Sequence, residues 1–96
     1  MPTYQQLPRF QKDWAKLSDA EKDAFRKAVK LFIAALREGR GRFPRRLRVH
    51  RIESTSDVWS ISFGDGGRAT FQYGKSIRTG EPHVIWRRTG GHAIYG

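Results

Sequence analysis

Ninety-six residues without a cysteine, 38% hydrophobic and 12% aromatic, suffice for one small core and exclude disulfides and thiolate metal sites. Nineteen Lys and Arg stand against nine Asp and Glu, a net charge of +10, which points to a polyanionic partner, nucleic acid first. No apolar run reaches membrane-spanning length and the first twenty residues are polar and charged throughout, so one soluble, cytoplasmic domain over residues 1–96 is expected.

The charge is uneven. Residues 37–96 carry twelve basic and five acidic groups, and Lys75 is the single lysine among the twelve. Arginine's flat fork matches phosphate better than a lysine ammonium does. A solvated, arginine-rich surface is the competing reading of the same excess.

In chain order, TYQQL (3–7) fits a short N-terminal edge strand. Phe10, Trp14 and Leu17 recur at helical spacing behind Pro8, which suits a first turn, and predict a helix over 8–17. SDAE (18–21) is a capping box that starts a second helix, 19–38. Phe25, Ala28, Val29, Phe32, Ile33 and Leu36 give that helix one apolar stripe, and Gly39 stops it.

After Gly41 the period changes to two. RRLRVHRI (45–52), VWSISF (58–63), RATFQY (68–73) and HVIWRR (83–88) read as strands. GDGG (64–67) is a hairpin turn and 74–82 a loop. The expected fold is α+β: an N-terminal antiparallel helix pair on one face of a mainly antiparallel four-stranded sheet. Parity puts Trp59, Ile61, Phe63, Phe71 and Tyr73 under the second helix. It leaves Ser60, Ser62, Arg68, Thr70 and Gln72 on a face without helices, a candidate groove.

Three features can carry chemistry. Arg68 opens its strand beside Thr70 and Gln72; alone, it reads as an edge charge that blunts aggregation. His50 shares a strand face with Arg48, and alone reads as a surface histidine. His92 follows Gly90-Gly91, with Tyr95 three residues on, and the apolar Ile94 and Tyr95 suggest a tail docked on the sheet. Three histidines without clustered carboxylates or cysteine make a poor metal ligand set, so no metal or other cofactor is expected.

The series LRVHRI…VWSISF…GGRATFQY…HVIWRRTGGHAIYG resembles the RelE/ParE superfamily of bacterial type II toxins, most closely its RelE/YoeB/HigB/YafQ-like branch. The resemblance covers residues 45–96, and the helix pair fits the family order. It implies a RelE-like fold and a toxin neutralised by a cognate antitoxin with an acidic segment. It also implies a ribosome-dependent endoribonuclease that cuts mRNA in the A site. On this resemblance Arg68 is the arginine at the scissile phosphate, His92 the general acid, Tyr95 the terminal aromatic, and His50 a histidine with a base role. Arg46, Arg48, Arg51, Arg87, Ser60 and Ser62 would surround the RNA. The base itself stays open: where RelE has strand lysines this chain has Ser60 and Ser62, and near YoeB's glutamate it has Arg46 and Arg48. Two alternatives stand beside this reading. One is a ParE-like toxin that inhibits gyrase without RNase activity; the other is a non-catalytic basic RNA-binding module.

Overall fold

The computed structural model describes residues 3–39, 42–52, 57–77, 80–91 and 94. Two helices pack on one five-stranded sheet. The strands are β1 (Thr3–Gln6), β2 (His50–Arg51), β3 (Trp59–Phe63), β4 (Gly67–Gly74) and β5 (His83–Gly90), and the helices are α1 (Pro8–Ala15) and α2 (Asp19–Glu38). The sheet order is β1-β5-β4-β3-β2. β2 to β5 form the expected antiparallel meander, but β1 adds a fifth strand, parallel to β5. The α+β class with a helix pair on the sheet is as expected.

Local chemistry accounts for the helices. Pro8 sits in the first turn of α1. The α2 capping box is formed: Ser18 Oγ accepts from the Glu21 amide at 3.1 Å, and Glu21 Oε1 accepts from the Ser18 amide at 2.9 Å. Gly39 closes the helix in the left-handed conformation. α1 stops at Ala15 rather than 17 because Lys16 and Leu17 turn towards the capping box, with their amides bonded to Asp13 and Trp14 carbonyls.

The strand expected at 45–52 is mostly absent. Arg45–Leu47 is a single 3₁₀ turn, and Arg48 follows at φ +46°, where no strand can run. Pairing begins only at His50, opposite Ser60. Arg48 therefore shares no strand face with His50. Arg51 pairs with Trp59, and that row continues to Phe71 and Trp86, so Arg51 projects from the face opposite His50. The hairpin after β3 has three turn residues, 64–66, with Phe63 opposite Gly67.

The core lies between the helices and one sheet face. Phe10, Phe25, Phe32, Ile61, Phe63, Ala69, Phe71, Val84 and Trp86 are all buried there. Phe25 stands edge-on to Trp14, Phe63 and Trp86, at 5.3 Å each. Tyr73 departs from expectation: it is 41% exposed. With Phe43, Val49 and Trp59 it lines a recess of about 400 Å³ at the end of α2, because the helix stops at Gly39 before covering it.

Phe32 is fully buried, stacked on Phe43 and edge-on to Phe71. Phe32→Ala should lower the unfolding free energy by about 3–5 kcal/mol, whereas Tyr73→Ala should cost clearly less. Urea titrations of the two variants and the parent measure both.

Candidate functional site: the outer sheet face

Cross-strand register assembles the face turned away from the helices. One row runs Ser62, Arg68, Gly90; the next runs His50, Ser60, Thr70, Arg88. His50 and Arg68 are thus offset by two strands and two residues. At ordinary strand spacing and rise, their Cα atoms are about 12 Å apart. The face is shallower than the sequence suggests. Ser60 (0% exposed), Ser62 (8%) and Thr70 (5%) are buried, a hydroxyl-bearing floor between longer side chains. The rim is exposed His50 and half-buried Arg68, Gln72 and Arg87.

The polar groups of the rim are oriented. His50 Nδ1 lies 2.7 Å from the Arg48 carbonyl oxygen. A carbonyl only accepts, so the proton of the neutral ring sits on Nδ1 and the Nε2 lone pair points elsewhere. Arg48 holds this contact from a left-handed backbone that is costly for a non-glycine residue. Arg68 Nη1 donates to the Gly67 carbonyl at 2.8 Å. Arg87 Nη1 donates to Gln72 Oε1. Arg87 itself is the extra residue of a β-bulge: Thr70 pairs with Arg88 and Phe71 with Trp86, which leaves Arg87 without a partner on β4. Arg45, Arg46 and Arg48 are exposed in and after the 3₁₀ turn, and Arg48 adjoins this face through His50.

Arg88, next in the chain, is already paired within the protein. Asp13 of α1 holds it, with Nε to Oδ2 at 3.1 Å and Nη2 to Oδ1 at 3.3 Å. The Thr89 amide donates to the same Oδ2 at 3.2 Å, and the Thr89 hydroxyl donates to the Arg68 carbonyl at 3.2 Å. β1 ends opposite Trp86, so beyond that point α1 takes over this edge of β5. Burial pushes the Asp13 carboxyl up. The Arg88 hydrogen bond, the Thr89 amide and the charges of Arg88 and Arg9 outweigh it and leave the carboxyl below the usual carboxylate range. Asp13 went unnoticed in the sequence although a signal was present: it falls within the apolar stripe Phe10, Trp14, Leu17, where an acid needs a partner.

His83 is a satisfied structural histidine. Its Nε2–H donates to Gln5 Oε1 at 3.0 Å, and Nδ1 lies 2.7 Å from Thr3 Oγ1, which ties β1 to β5. His92 and Tyr95 lie outside the described residues. Around them, Ile94 is bonded by its amide to the Gly91 carbonyl at 3.2 Å. A Cβ on Gly90 would come within 3.0 Å of Ile94 Cγ2, and Gly90 stands at φ +152°. Only glycine fits there without strain.

On the helix side a groove of about 410 Å³ separates β1 from α2. Tyr4, Trp14, Val29 and Ile33 line it, with Arg26 and Lys30. Among the described residues no group of three His, Cys, Asp or Glu could hold a metal ion, and no helix is long and apolar enough to cross a membrane.

No family model matches the chain, and no curated protein does. Solved structures do. YafQ from E. coli strain BL21(DE3) superposes with a TM-score of 0.64 at 14% identity, over 99% of this chain and 98% of that one. The chain has the YafQ fold. The E. coli DinJ–YafQ complex matches at 0.61 and 15% identity, over 98% and 97%. The conserved hypothetical protein HP0894 of Helicobacter pylori matches at 0.52 and 13%, over 97% of each chain. The YafQ likeness runs the length of the chain, including the helix pair, for which the sequence motifs gave only an order.

The Asp13 pairing carries a pH signature. Its folded carboxyl is depressed, so its contribution to stability is complete above the unfolded value, about pH 4, and fades as pH falls through the folded value. Melting temperatures between pH 7 and 3 should therefore drop more steeply for the parent than for Asp13→Asn, which lacks the titrating group.

Proposed function

We propose that the chain is the toxin of a toxin–antitoxin pair and that it cuts mRNA on the ribosome without a metal. The observation that supports this reading is the outer sheet face, which presents a histidine and an arginine over a floor of small hydroxyls. His50 and Arg68 share it, and Gly90, the partner of Arg68, stands two residues before His92. The YafQ fold supports the toxin reading, and the DinJ–YafQ complex supports a protein antitoxin.

The chemistry uses the RNA's own nucleophile. The 2′-oxygen bonds to the adjacent phosphorus and gives its proton to His50 Nε2, which the Arg48 carbonyl leaves unprotonated in the neutral ring. The bond from phosphorus to the 5′-oxygen breaks, and His92 donates a proton to that oxygen. The products are a 2′,3′-cyclic phosphate and a 5′-hydroxyl. Arg68 stabilises the charge on the pentacoordinate phosphorus. Arg46, Arg48 and Arg87 grip neighbouring phosphates, over the floor of Ser60 and Ser62, and Tyr95 takes the terminal aromatic role. Arg51, on the opposite face, takes no part. Acid and base each contribute about 10²–10⁴-fold. DNA, lacking the 2′-hydroxyl, is not a substrate. Free mRNA is a poor one, because so small a surface positions a flexible strand weakly.

The antitoxin presents an acidic, amphipathic segment to this cationic molecule. The groove between β1 and α2, apolar with Arg26 and Lys30 beside it, has the matching chemistry.

Induced expression should arrest growth and protein synthesis within minutes, with new mRNA 3′ ends mapping inside codons. Arg68→Ala should slow cleavage about 10²–10³-fold. His92→Ala should abolish toxicity and keep the fold by circular dichroism; an equally toxic His92→Ala removes the acid assignment. Arrest with intact mRNA and a DNA-damage response would instead establish gyrase as the target. Antitoxin affinity measured by calorimetry should fall as salt rises, and a flat response would rule out an electrostatic grip.

A further inference from the structure

Asp13 is a buried carboxylate, 8% exposed. It lies on α1, remote in sequence from every residue assigned to the chemistry, yet two of its bonds end next to them. It takes the guanidinium of Arg88 and the amide of Thr89, and Thr89 in turn binds the carbonyl of Arg68. One side chain thereby fixes the last residues of β5 and, through one further hydrogen bond, the start of β4.

Strand pairing holds this place from one side only. Among the described residues no strand covers β5 beyond Trp86. The bulge at Arg87 interrupts the ladder on the other side just before Arg88. A strand end that is bulged on one side and unpaired on the other opens more readily than the sheet centre. That same end leads directly into Gly90, the cross-strand partner of Arg68, and on to residues 91–94.

We infer that Asp13 is a positioning residue. It holds Thr89 and Gly90, and with them Arg68, in the geometry that cleavage requires, without touching the RNA. The inference rests on the ribonuclease reading above. A carboxylate suits the task because one group serves a two-toothed guanidinium and a backbone amide together. Asparagine keeps an acceptor for the Thr89 amide but loses the charge that anchors Arg88; alanine loses both.

The test compares the parent with Asp13→Asn, Asp13→Ala and Thr89→Val in single-turnover cleavage of ribosome-bound mRNA, at saturating protein and well below each variant's unfolding midpoint. The cleavage rate constant should fall about 10- to 100-fold in Asp13→Ala and less in Asp13→Asn and Thr89→Val, with ribosome affinity unweakened. Amide hydrogen exchange should quicken at Arg68, Thr89 and Gly90 while Ile61 stays protected. Should Asp13→Ala fail to fold, the other two variants carry the comparison. Rate constants equal to the parent's in folded variants overturn the inference, as does unchanged exchange at Arg68 and Gly90. A parent that cuts no ribosome-bound mRNA is a different outcome: it refutes the ribonuclease reading, and the positioning role falls with it.

Discussion

Trp86 is where both helices meet the sheet. Its ring centroid lies 6.0 Å from Phe10 on α1, 5.3 Å from Phe25 and 5.8 Å from Phe32 on α2, and 5.5 Å from Phe71 on β4. Each such pair adds about 0.5–1.5 kcal/mol to the burial of apolar area. Its backbone is engaged as well, since Trp86 pairs with Gln6 and its carbonyl accepts from the Leu7 amide at 3.0 Å. The dry side of β5 is thus fixed to every other layer at one residue. The bulge follows at once, and the next side chains serve a different purpose. The outer face owes its geometry to an anchor on the inner one.

Charge is distributed with the same economy. Arg87 and Arg88 are neighbours in sequence, but Gln72 holds one and Asp13 the other. Asp13 neutralises one of the two cations in a pair that is itself largely buried on the carboxylate side. Among the described residues that face carries His50, Arg68, Gln72 and Arg87 over small hydroxyls, with no carboxylate on β2 to β5 facing it. Small floor residues let long rim side chains lean inwards, so a polyanion laid there meets cations at its edges and hydrogen-bonding groups below.

Much of this was legible because it is periodic or locally punctuated. The stripe from Phe25 to Leu36, the SDAE box and the alternation in VWSISF and RATFQY each dictate one element, and each is present. The face shared by Ser60, Ser62, Arg68, Thr70 and Gln72 followed from parity alone. What escaped has physical reasons. RRLRVHRI alternates well enough for a strand, but a 3₁₀ turn and a left-handed Arg48 depend on tertiary contacts that no period encodes. β1 was read as an edge strand, but its parallel pairing with β5 spans the whole chain, and a partner eighty residues away leaves no local trace. The Asp13–Arg88 pair is equally non-local. The bulge at Arg87 breaks the parity on which the strand reading relied.

The strand order has a consequence for biosynthesis. β5 is the last of the five described strands to be translated, yet it belongs between the first and the fourth. Until it emerges, β1 has no neighbour, Phe10, Phe25 and Phe32 lack the indole they close on, and the Arg68 edge of β4 is unpaired. The nascent polypeptide therefore cannot assemble its outer face before β5 is available.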